Sequence, residues 1–106
     1  MLYAVHVLVD AARAQDWESW MRQDHIPEVI DTGCFWQAVM VREPEADEPE
    51  KVAFCTFYFA HDEQALERYQ REFAPALKDD HAKRFGSAAS AWRLLCPVLE
   101  VFTPKG

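Results

Sequence analysis

The chain has 106 residues, half of them hydrophobic, 27% charged and only three glycine. That length supports one core, and that balance excludes disorder, collagen-like repeats and low-complexity linkers. Against 11 Lys and Arg stand 18 Asp and Glu, a formal charge of -7, so the field of the molecule repels phosphate backbones and anionic membranes, and nucleic acid is excluded as an expected partner.

Met1 to Val9 is a short apolar run that stops at Asp10 without a basic leader, and it reads as a strand over Leu2 to Val9 rather than a signal peptide. From Arg13 the period lengthens. Trp17, Met21, His25 and Val29 recur at i,i+4 with Trp20 beside them, which predicts an amphipathic helix ending before Gly33. Pro27 withholds a donor from the Gln23 carbonyl, so this helix is expected to kink or restart around His25. Cys34 to Arg42 and Lys51 to Ala60 are aromatic-rich strands, joined across an acidic, solvated loop, Glu43 to Glu50. Asp62 is placed to cap a second helix, carrying Leu66, Tyr69, Phe73, Ala76 and Leu77 and then the row Leu77, His81, Phe85, with a break at Pro75 and an end at Gly86. A last strand is expected over Ala91 to Phe102, with Pro97 tolerated only at an edge or a bulge.

The order β-α-β-β-α-β is the ferredoxin-like plan, an α+β fold with a four-stranded antiparallel sheet and two helices on one face, filling residues 1–106 as a single domain. A sheet covered on one face alternates apolar with polar residues. Here Phe35, Trp36, Val39, Met40 and Val41, then Phe54, Cys55, Phe57, Tyr58 and Phe59, put large side chains on both faces. A second copy packed sheet to sheet covers the other face most economically, so the expected partner is the chain itself, as a homodimer.

Cys34, Cys55 and Cys96 are odd in number and widely spaced, which fits small buried residues in a reducing cytoplasm better than a disulfide framework or a zinc motif. No metal site is expected from these spacings. No cofactor is expected either, because glycines at 33, 86 and 106 cannot build a phosphate-binding loop.

The run from Trp17 to Phe35, with its W-x-x-W-M-x-x-x-H-I-P-E core, and the stretch Tyr69 to Gly86, with Phe-Ala-Pro and Asp-His-Ala-Lys-Arg-Phe-Gly, resemble a bacterial family of short proteins built on a domain of unknown function. Such proteins are similar to the dimeric α/β barrel group, which includes EthD-like proteins, antibiotic-biosynthesis monooxygenases, muconolactone isomerases and small polyketide cyclases. The resemblance implies two ferredoxin-like sheets closed into a barrel across a dimer, with small hydrophobic ligands between sheet and helices. It implies no particular reaction.

His25 and His81 are the candidate catalytic pair, since each interrupts an otherwise apolar helical row and follows an acidic residue, Asp24 or Asp80. Aligning them also brings Trp17 over Phe73 and Met21 over Leu77, an echo of two halves that directs both imidazoles toward one space. A neutral imidazole in a partly dry pocket takes or gives a proton near neutral pH, which suits enolisation, cyclisation, isomerisation or monooxygenase-like chemistry on an aromatic or polyketide-like compound. Trp17, Met21, Tyr58, Tyr69, Phe73 and Phe85 are the candidate ligand-binding residues, and the wider aromatic set adds Trp20, Trp36, Phe54 and Trp92. The plainer alternative makes each histidine a core residue bonded to a carbonyl such as that of Gln23, and the chain a non-catalytic ligand-binding or assembly protein. His6 and His61 are assigned to dimer packing and helix capping.

Overall fold

The computed structural model describes residues 1–105. Strand β1 (Leu2–Asp10) is followed by a 3-10 turn (Ala11–Arg13) and by helix α1 (Ala14–Trp20), a π-helical turn (Met21–His25) and helix α2 (Ile26–Asp31). Strands β2 (Phe35–Arg42) and β3 (Lys51–Ala60) come next, then α3 (Glu63–Arg68), a second π turn (Tyr69–Phe73), α4 (Ala74–Phe85) and β4 (Ala89–Cys96). The sheet order is β2-β3-β1-β4 with every neighbour antiparallel, the ferredoxin-like arrangement. No helix among the described residues is long and apolar enough to cross a membrane.

The two prolines explain the two π turns. Pro27 has no N–H for the Gln23 carbonyl and its ring crowds that oxygen, so Ile26 donates one residue further back, to Met21, and the helix widens instead of breaking. Pro75 repeats the device: Ala74 donates to Tyr69. The two halves therefore correspond with Met21 on Tyr69, His25 on Phe73 and Val29 on Leu77. This corrects the alignment of His25 with His81 expected from the sequence; the two histidines meet in space without being symmetry mates.

Asp62 caps α3 as its sequence position implies, its carboxylate accepting from the Ala65 N–H at 2.7 Å, and it displaces His61 from that duty. At the other end Gly33 and Gly86 adopt φ of 78° and 52°, the left-handed turns that close the two helical segments. The last strand is shorter than its apolar run. It starts at Ala89 and stops at Cys96 opposite Leu2, because β1 offers no further partner and Pro97 has no donor to continue the ladder. The acidic loop is more built than a solvated connection: Asp47 accepts from the Ala53 N–H at 2.7 Å and from Arg42 at 2.9 Å.

Strand register sorts side chains by face. Tyr3, Val5 and Val7 on β1, Phe54 and Tyr58 on β3, and Ala91 and Arg93 on β4 face the helices. They meet two buried clusters, one around Tyr3, Val29, Phe35, Tyr58, Leu66 and Tyr69, the other around Val7, Trp17, Trp20, Met21, Phe54 and Phe85. The opposite face carries Ala4, His6 and Leu8, Cys55, Phe57 and Phe59, Val39 and Val41, and Trp92 and Leu94. Nothing among the described residues packs over its rim, where Trp36 is 59% exposed and Leu94 51%.

Candidate active site

A cleft opens at the seam between the two core clusters, lined by Tyr3, Val5, Val7, Met21, His25, Tyr58, Tyr69, Leu77, Lys78, His81, Ala91 and Arg93. Both histidines face it, with ring centroids 6.2 Å apart. Its free interior is about 30 Å³, room for one or two water molecules. Lys78 and Arg93 are exposed and form no ion pair among the described residues, so these two long side chains are the parts of the lining most free to move aside for a larger ligand.

His81 is held from behind. The indole Nε1–H of Trp17, which is fully buried, donates to His81 Nε2 at 2.9 Å, so neutral His81 carries its proton on Nδ1. Phe85 packs against the same imidazole at 5.6 Å and Trp20 at 5.8 Å. His25 lies 5.0 Å from Trp20, and its Nδ1 is buried without a hydrogen-bond partner among the described residues. A buried polar atom left unpaired costs about 1–3 kcal/mol, so it marks a place where a ligand atom or a water belongs.

Electrostatics keep both imidazoles neutral. Burial first, then the neighbouring His81 and Arg93, lower His25 to about 4 against the opposing pull of Asp80. Burial and Arg93 also lower His81. Burial raises Tyr3, Tyr58 and Tyr69, so all three phenols stay protonated as donors. The lining holds two cationic side chains and no carboxylate, an inversion of the chain's acidic balance.

The depressed His25 pKa fixes a pH dependence. The unfolded chain takes up a proton near pH 6.5 and the folded one only near 4, so the stability that His25 contributes is complete above pH 6.5 and is lost as pH falls through that window. After allowance for the part of the ring that still meets water, the loss is on the order of 1–3 kcal/mol. Thermal unfolding between pH 7 and 4.5 is expected to show a steeper decline in the wild type than in His25→Gln. Parallel curves would mean that His25 titrates normally.

Among the residues expected at a site, His25, His81, Met21, Tyr58 and Tyr69 line the cleft. Trp17 and Phe85 sit behind His81 rather than in the lining, and Phe73 is partly buried against the first core cluster, with the Arg68 guanidinium over its ring, and does not line the cleft. Trp92 lies on the other side of the sheet, as does Trp36, which packs against Phe59 there. Lys78 and Arg93 were not anticipated. Strand alternation in Ala89-Ser90-Ala91-Trp92-Arg93 was the available signal for Arg93, since it places the guanidinium beside two alanines on the helix side.

A second polar cluster lies on the open face. His6 Nδ1 is 2.8 Å from Glu43 Oε1, and His6 Nε2 is 3.9 Å from Cys55 Sγ. Burial and the Glu43 carboxylate push the Cys55 thiol up to about 11.

Two solved structures share the fold. HapK from Hahella chejuensis superposes with a TM-score of 0.71 at 17% identity, over the whole of both chains. An ethyl tert-butyl ether degradation (EthD) family protein from Bacillus halodurans C-125 gives 0.62 at 16% identity, over 92% of this chain and all of that one. No curated protein matches. The family model described as a domain of unknown function, DUF4286, matches residues 1–99, and the chain belongs to that family.

Proposed function

We propose that the cleft binds a small, flat, partly apolar compound with an enolisable or phenolic oxygen, and that His25 and His81 move a proton on it without a cofactor. The observation that carries this reading is the unpaired, buried Nδ1 of His25 in a cleft shared with a second imidazole. Neutral His25 is the acceptor for a carbon-bound proton, and His81, with its proton fixed on Nδ1 by Trp17, is the donor. Arg93 and Lys78, at the mouth of the cleft, meet the negative charge that grows on oxygen as the proton leaves. Tyr3, Tyr58 and Tyr69 supply the wall and three phenolic donors. Isomerisation and cyclisation of aromatic or polyketide-like compounds begin with such a step.

The working form in this reading is a homodimer closed through the open face of the sheet. The apolar stripe of Val39, Val41, Phe57, Phe59, Trp92 and Leu94 supports it, since a contiguous patch of this kind is rarely left in water.

The test uses benzoylacetone, an aryl 1,3-diketone, in deuterated buffer, with exchange at its central methylene followed by NMR. The wild type is expected to accelerate exchange above the buffer rate. Arg93→Gln is expected to slow it about tenfold or more through loss of a charge facing the oxyanion. Exchange at the buffer rate, with no thermal stabilisation by the diketone, would leave the cleft without this role.

A further inference from the structure

We infer that His6, Glu43 and Cys55 form a binding site for a divalent transition-metal ion of the zinc class on the open face of the sheet. The three residues come from β1, the end of the β2 segment and β3, and in sequence they are too far apart to form a ligand motif. Register brings them together: His6 pairs with Cys55 across β1 and β3, and Glu43 follows the last residue of β2. Each carries an atom able to ligate a metal, and the three atoms lie within 4.8 Å of one another; His6 Nε2 and Cys55 Sγ would bind the ion directly, with Glu43 holding the imidazole from Nδ1 and solvent completing the coordination.

The chemistry of the set is specific. A carboxylate only accepts, so the 2.8 Å contact makes His6 Nδ1 the donor and leaves the Nε2 lone pair free, facing Cys55 Sγ at 3.9 Å. Zinc bound tetrahedrally at its usual bond lengths separates a sulfur and a nitrogen ligand by about 3.6 Å, so closure needs a shift of only a few tenths of an ångström. A carboxylate on the far nitrogen of a metal-binding histidine orients the ring and raises its basicity. Trp92 stacks on His6 at 5.4 Å and 6° and limits where that ring can turn. The surrounding face is apolar, so a thiol, an imidazole and a carboxylate grouped at its centre are out of place unless something binds them. The Glu43 carboxylate beside the imidazole is itself an attraction for a cation. On binding, the thiol gives its proton to solvent and the thiolate takes the metal, with no change of oxidation state. The same three residues in line also suggest a nucleophilic thiol, but Cys55 is completely buried, which keeps it from a substrate.

Cobalt(II) titration of the chelator-treated full chain tests the site. A thiolate-to-cobalt charge-transfer band that saturates at no more than one ion per chain and is displaced by zinc is expected. Cys55→Ser should abolish the band and Cys96→Ser should keep it. Glu43→Gln retains the thiol and should weaken binding about 10- to 100-fold, which carries the test even where Cys55→Ser folds poorly. His25→Gln should leave the band unchanged, because the cleft lies on the other side of the sheet. No thiolate band at excess cobalt, or a band that survives both Cys55→Ser and Glu43→Gln, overturns the inference.

Discussion

His81→Gln is expected to lower proton exchange in the diketone by about 10²–10⁴-fold, the usual worth of a positioned acid or base, while the protein stays folded. Glutamine keeps a polar head of similar reach, and its carbonyl can accept the Trp17 indole proton that His81 Nε2 accepts now. His81→Leu is the informative contrast. It strands a buried indole N–H and should cost a further 1–3 kcal/mol or so of stability, with the same loss of exchange. For His25→Gln the same functional loss is expected with a smaller structural effect, because Nδ1 has no partner to lose. Exchange and diketone stabilisation that persist in both glutamine variants, together with lowered melting temperatures, would identify two core histidines and remove the catalytic reading.

The fold was legible because its signals are local. Helical spacing of Trp17, Met21 and Val29, the cap at Asp62, and the aromatic runs either side of Glu43–Glu50 each act within a few residues. Both prolines were legible as interruptions, yet not as π turns, since whether a helix breaks or widens depends on what it packs against. Here Met21 and Tyr69, the residues that accept the longer bonds, are buried in the two core clusters. The end of β4 was misplaced because Val98, Leu99, Val101 and Phe102 continue an apolar pattern with no neighbouring strand to pair with, and they lie exposed beyond Cys96.

The site was legible only in part for the same reason. His25 and His81 stand out against apolar rows. Lys78 and Arg93 do not, because a lone cation reads as ordinary surface until the face it occupies is known. The group of His6, Glu43 and Cys55 depends on the β1–β3 register, which no single segment encodes. A supposed symmetry between the histidines put both in one space by the wrong correspondence, since the prolines set the true one.

If the proposed dimer forms through the open face, Phe57→Asp is expected to convert it to monomer. Phe57 sits on an inner strand of the sheet, opposite Ala4 on β1 and Val39 on β2, and its side chain lies on the open face, whereas Phe54 is buried against Trp17 on the helix side. In a monomer the new carboxylate reaches water at the partly exposed position of Phe57, so folding loses little. In a dimer it is buried without a counter-charge, at a cost of several kcal/mol per copy. A shift of about 4 kcal/mol corresponds to a thousandfold weaker association, enough to separate the copies at micromolar concentration. Sedimentation equilibrium of wild type and variant, with circular dichroism to establish folding, reads the outcome. Phe54→Asp on the opposite face should instead unfold the chain, since it places a charge beside the fully buried Trp17. A wild type that sediments as a monomer at every concentration, or a folded Phe57→Asp that remains dimeric, would mean that something other than a second sheet covers this face.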